Sequence, residues 1–230
     1  MLVRVVFFMY EGRRNFITFI LALIVDMNAR HIVYPILELF IESEPMLISI
    51  CGSIDAMLGL SVILLAIKLK YIKTIKIDFD SIKYRILYKS LIYCGVATIL
   101  SNILSFVMCN FFDSQVILQS NVDSNNYLLS MPEKIFHLIY VCLVVPLNEE
   151  MFFRGVLIRV FKKSLGVPVA VLISALTFGL LHGVSFSVII NATFMGIAFG
   201  YVYTKTNNLA YTMFLHSALN FVVTLKSFGV

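Results

Sequence analysis

The stretch VVPLNEEMFFRG, Val144 to Gly155, sets two adjacent carboxylates, Glu149 and Glu150, and Arg154 inside an apolar run. Further along, FGLLH ends in His182, and HSALN carries His216 and Asn220. An unpaired charge in a membrane-spanning segment costs roughly 3 kcal/mol or more, so each of these residues is a functional candidate. Residues four apart share a helix face, whereas neighbours point about 100° apart. Glu150 is therefore placed to pair with Arg154, which leaves Glu149 as a desolvated carboxylate suited to act as a general base on water. His216 and Asn220 are also four apart, and both donate hydrogen bonds. Two donors aimed at one point stabilise the oxyanion of a tetrahedral intermediate in acyl transfer, where a single donor is worth about 10²–10³ in rate. His182, with Phe178 one turn before it, is the candidate to hold and deprotonate a water together with Glu149. Each residue also has a plain structural reading: an ion pair for Glu150 with Arg154, a bond across helices for a lone His or Asn. Together they supply a base, a water orienter and an oxyanion site.

The elements that must hold these groups follow from hydropathy. Of 230 residues, 60% are hydrophobic and 13% charged, and the mean hydropathy is +0.94, outside the range of a soluble domain. Lipid requires every backbone polar group to be satisfied within the segment. The expected fold is therefore an all-α, polytopic membrane bundle of about seven (six to eight) transmembrane helices, each needing roughly 20 apolar residues. The apolar segments run over about 16–41, 46–67, 86–112, from 135 through the opening motif, 167–183, 186–204 and 209–225. Residues 1–130 carry no chemical motif, and residues 131–230 form the expected catalytic core of a single integral membrane unit.

The net charge of +5 resides in short basic runs between apolar segments, the pattern of cytoplasmic loops rather than of a nucleic-acid surface. KLKYIKTIKIDFDSIKYR, with Lys68, Lys70, Lys73, Lys76, Lys83 and Arg85, is the strongest such signal. Arg4, Arg13 and Arg14 place the N-terminus on the same side, as do Arg159 to Lys163 and Lys205, and the Ser- and Asn-rich loop after Phe112 falls outside. A multi-pass protein of the cell membrane is expected. The N-terminal apolar run lacks a small-residue cleavage site, so it reads as a retained first span rather than a signal peptide.

Other polar groups carry less. Asp26 lies four residues before Arg30 and reads as an i,i+4 pair; Asp55 has no companion at helical spacing. His31 and His137 read as structural or interfacial. The cysteines 51, 94, 109 and 142 lack metal-site spacings and read as small apolar residues. Asn191-Ala192-Thr193 matches a glycosylation pattern but lies within an apolar run. No His-Glu-x-x-His and no Gly-x-Ser-x-Gly is present, which leaves a zincin or a common serine hydrolase unsupported.

These residues resemble the CPBP intramembrane proteases, also called the CAAX protease and bacteriocin-processing or Abi family. Pro146, Glu149, Glu150, Phe153, Arg154 and Gly155 look like its Glu-Glu-x-x-x-Arg motif, Phe178 and His182 like its Phe-x-x-x-His, and His216 and Asn220 like its His-x-x-x-Asn. Gly196, Gly200, Tyr203 and Thr204 fit the glycine-bearing helix and turn between the last two. The resemblance covers about a third of the chain, Val144 to Phe221. It implies a site buried among four helices and hydrolysis of peptide bonds near the membrane. Glu149 and His182 then activate water, His216 and Asn220 hold the oxyanion, and Glu150, Arg154 and Phe178 support them.

The favoured mechanism is glutamate-based and uses no cofactor. Its runner-up is a zinc or other divalent ion on Glu149, His182 and His216, which leaves Glu150 as base. The expected partners are the lipid bilayer and a peptide or membrane-protein substrate, with no nucleic acid. Processing of or immunity towards peptide bacteriocins, or maturation of signalling peptides, is the setting the resemblance implies. Two readings from other classes stand beside the endopeptidase. One is a non-catalytic partner of a sensor kinase or immunity protein; the other is a small transporter with Glu149 and the histidines as a proton relay.

Overall fold

The computed structural model describes residues 2–111, 129–183 and 185–229, and within them the side chains other than those of 2–13, 15, 26–30 and 109–111. The expected Asp26–Arg30 pair, Cys109 and most of the polar loop after Phe112 lie outside these described side chains. The described residues form helices and connecting loops, without strands. In chain order the helices are α1 Leu2–Leu37, α2 Glu44–Lys68, α3 Tyr84–Phe111, α4 Met131–Leu165, α5 Val167–Leu181, α6 Phe186–Thr206 and α7 Leu209–Ser227.

Local chemistry explains the ends. α2 opens on Glu44 with Pro45 in its first turn and closes on Lys68, so both charges complement the helix dipole and the proline loses no needed N–H. α4 opens with Ser130, Pro132 and Glu133, and the Glu133 carboxylate accepts the Ser130 N–H at 2.8 Å. Gly166 separates α4 from α5 alone, at φ +80, a left-handed conformation that favours glycine. Among the described residues, four stretches are long and apolar enough to cross a membrane, 44–68, 84–108, 131–165 and 186–206. They leave large apolar side chains such as Leu64, Leu65, Ile99 and Phe106 outward, which suits lipid. The chain is a membrane-embedded helical protein.

Two compact units divide the chain. The first takes residues up to 75, 122–152 and 216–230, and the second 76–121 and 153–215. In the first, α1 and α2 pack together, and α2 meets the start of α4. Phe19 stacks on Phe152 with ring centroids 4.6 Å apart. Tyr140 lies so close over Gly52 that a Cβ there would fall 2.0 Å from its hydroxyl. His137 bonds Ser49 through Nδ1 at 2.9 Å, which gives it a structural partner.

In the second unit, α5 and α6 approach until a Cβ on Gly196 would sit 2.8 Å from the Ala175 Cα, and one on Gly200 2.9 Å from Val171. Small residues allow such close crossing in a membrane, where dispersion and polar bonds replace the hydrophobic drive. Ser101 of α3 donates to the Asn191 carbonyl oxygen, so that asparagine is used between helices. The basic loop after α2 is anchored by Asn208, which is 2% exposed. Its Oδ1 accepts the N–H of Asp78 at 3.0 Å and of Ala210 at 3.1 Å. Its Nδ2 donates to the Asp78 carbonyl at 2.7 Å and the Ser81 hydroxyl at 3.1 Å. Tyr211 adds a hydroxyl that accepts the Lys83 N–H at 2.7 Å.

Candidate active site

The motif helix α4 is not uniformly α-helical. Tyr140–Val144 and Met151–Leu157 wind as π-helix, on either side of the α-helical Val145–Glu150. Such turns shift the ladder to i→i+5 bonds and recur at functional sites. Both glutamates stand at the end of the α-helical piece, directly before the second π stretch. Periodicity read as a plain helix misses this; Pro146 inside an apolar run is its one sequence signal.

In the first unit, α7 brings His216 to both carboxylates. Its Nδ1 lies 3.0 Å from Glu150 Oε1, and its Nε2 stands 3.6 Å from Glu149 Oε2. A carboxylate only accepts, so Nδ1 carries the hydrogen. The second distance is within reach of an ion pair but too long for a direct hydrogen bond. Exposure separates the two acids: the Glu150 side chain is 0% exposed and that of Glu149 22%. Glu150 is thus the buried acid bonded to the imidazole, and Glu149 is the more exposed of the two. Spacing within α4 points to Arg154 as the partner of Glu150; the partner that tertiary structure adds is His216. Asn220, one turn further along α7, donates through Nδ2 to the Val141 carbonyl at 2.8 Å.

The second unit holds Arg154, Phe178 and His182. The Arg154 side chain is 0% exposed and lies among rings, with its guanidinium carbon 4.6 Å from the centre of Phe178, 5.3 Å from Phe199 and 5.8 Å from Phe153. It donates to the Gly196 carbonyl at 3.4 Å. Cation–π attraction of this kind strengthens when desolvated, which lets a charge stay buried inside a bundle. Ser174 of α5 donates to the Phe153 carbonyl at 3.1 Å, within the π stretch.

His182 caps the end of α5. Its Nδ1 lies 2.7 Å from the Phe178 carbonyl oxygen, which only accepts, so the hydrogen is on Nδ1 and the lone pair of the neutral ring is on Nε2. Phe178 also stacks against it, centroids 4.3 Å apart. The Phe-x-x-x-His spacing is therefore a tautomer lock, one residue supplying both carbonyl and ring. Tyr203 accepts the Arg159 Nε–H at 3.1 Å, which ties α6 to the end of α4.

Among the described residues, no three His, Cys, Asp or Glu side chains are grouped to hold a metal ion. Buried Asp55 belongs to α2, and exposed His31 to α1.

Fold and site together define a membrane-embedded helical protein with two acids and an imidazole grouped on the motif helix and α7. Residues 131–222 match the family model of Rce1-like type II CAAX prenyl endopeptidases. That segment contains all three motifs, and the matched family, a protease family, is the one the motif residues resemble. No curated protein and no solved structure matches the chain.

Proposed function

We propose that the chain is an intramembrane endopeptidase of glutamate type, acting on a peptide or membrane-associated protein. The observation that carries this reading is the His216 imidazole, bonded to buried Glu150 at 3.0 Å and facing the more exposed Glu149 at 3.6 Å. That arrangement is a nucleophile-activating base beside an oriented, polarised donor.

Glu149 takes a proton from a water whose oxygen attacks the scissile carbonyl carbon. The C=O π pair moves onto oxygen, and the oxyanion accepts hydrogen bonds from the Nε2–H of His216, doubly protonated in this step with its Nδ1–H held by Glu150, and from the Asn220 N–H that Val141 does not use. When the C–N bond breaks, the Glu149 proton passes to the leaving amine. His182 supports the reading through its tautomer alone: an Nε2 free of hydrogen can accept a hydrogen bond, which suits the water-activating role that the family resemblance implies. Glu150 holds His216 upright, and Arg154 anchors the π stretch of the motif helix. The substrate class is that implied by the family, with bacteriocin processing or immunity and signalling-peptide maturation as settings. The N-terminus and the basic loops face the cytoplasm.

Comparing the membrane peptidomes of cells carrying the wild type and Glu149→Gln tests the proposal. The expected result is a small set of cleavage products present only with the wild type. Identical peptide sets from equally abundant, folded proteins would overturn it.

A further inference from the structure

The first π stretch of α4 leaves a backbone group without a helical partner. In Tyr140–Val144 the ladder has slipped by one residue, and the Val145 N–H bonds the Tyr140 carbonyl. In the same i→i+5 register the next carbonyl, that of Val141, would take its donor from residue 146. Residue 146 is proline, which has no N–H. An unmet carbonyl in a membrane helix costs several kcal/mol, and Pro146 is itself fully buried. The donor that reaches this oxygen is Asn220 Nδ2, at 2.8 Å from α7.

We propose that Asn220 supplies the hydrogen bond that Pro146 cannot, and that this bond sets the register of α7 against α4 so that His216 meets both glutamates. Two ties join the helices in antiparallel order, Val141 with Asn220 and Glu150 with His216. A proline, a π-turn and an asparagine from another helix thus form one device. Asn220 has a second amide hydrogen, so positioning adds to its oxyanion role. The bond stands without any catalytic reading; its consequence for turnover rests on the proposed peptidase activity.

Val141-Cys142 is the one Val-Cys dipeptide in the chain. Valine labelled with 13C at the carbonyl and cysteine labelled with 15N therefore report that single peptide by NMR of the full-length protein in detergent. In Asn220→Ala the Val141 carbonyl resonance moves upfield as its hydrogen bond is lost. In Pro146→Ala/Asn220→Ala it returns, because residue 146 now has an N–H to give. A resonance that stays put in the single variant, or stays displaced in the double, overturns the assignment. Where Asn220→Ala does not accumulate as folded protein, restored accumulation of the double variant supports the device, and failure to restore it overturns the device.

The same variants test positioning. Asn220→Ala lowers kcat by about 10²-fold or more, and the double variant regains about five- to tenfold in kcat, the equivalent of one hydrogen bond, at unchanged KM. A restored carbonyl resonance with no regain in kcat would overturn the positioning role alone. A wild type without peptidase activity would sink the proposed function and leave the carbonyl result to decide the bond.

Discussion

Gly196→Ala tests whether the close crossing of α5 and α6 supports the buried arginine. A Cβ at Gly196 would meet Ala175 at its Cα (2.8 Å), its Cβ (3.0 Å) and its carbonyl oxygen (3.3 Å). Two of these are backbone atoms, so no rotamer change relieves the overlap and the helices must separate. Overpacking of a rigid site costs up to about 3 kcal/mol, and replacing a helical glycine with alanine returns about 1 kcal/mol. The net loss is about 2 kcal/mol, or a fall in Tm of about 4–8 °C for a chain of this size. Separation also draws the Gly196 carbonyl from Arg154, now 3.4 Å away, so peptidase activity should fall below what the loss of folded protein explains. Gly95→Ala is the control, since nothing lies within 4 Å of its Cβ position, and its Tm should rise by about 2–4 °C. Thermal unfolding of both variants in detergent decides the matter. A Gly196→Ala protein as stable as the wild type, or shifted upward with the control, would refute the argument.

Three further outcomes follow from other parts of the structure. Glu150→Ala leaves the buried His216 Nδ1–H without its acceptor and should destabilise by about 3–5 kcal/mol, whereas Glu150→Gln keeps an acceptor oxygen; equal unfolding midpoints in detergent would contradict this. Asn208→Ala removes three hydrogen bonds to the basic loop and one from the Ala210 N–H of α7 and should cost about 2–4 kcal/mol, read as faster proteolysis within residues 70–83. Lys76, at 3.1 Å, and then Ser81 hold the Asp78 carboxyl below its ordinary value of 3.8. A depressed folded pKa means that stabilisation is complete above the unfolded value and is lost as pH falls through the lower, folded one. Protection of the loop from an acid-active protease should therefore hold down to about pH 4 and fall below it, and Asp78→Asn should flatten that dependence.

By itself the sequence determined the class of molecule and the list of reactive groups. Apolar runs long enough to span a bilayer admit only helices, because lipid offers backbone groups no partner. Polar residues are so costly there that Glu149, Glu150, Arg154, His182, His216 and Asn220 stand out by type alone. The Phe178–His182 spacing was legible too, since a contact four residues apart lies within one helix. Tertiary structure alone decided the pairings. That His216 reaches both glutamates depends on how α7 lies along α4, and no periodicity encodes a contact 66 residues apart. The aromatic setting of Arg154 comes from three helices, and the clasp of Asn208 on the loop joins residues 130 apart. The π stretches were hidden for a related reason: a slipped ladder is stable only where another element, such as Asn220, takes up the group it leaves unbonded.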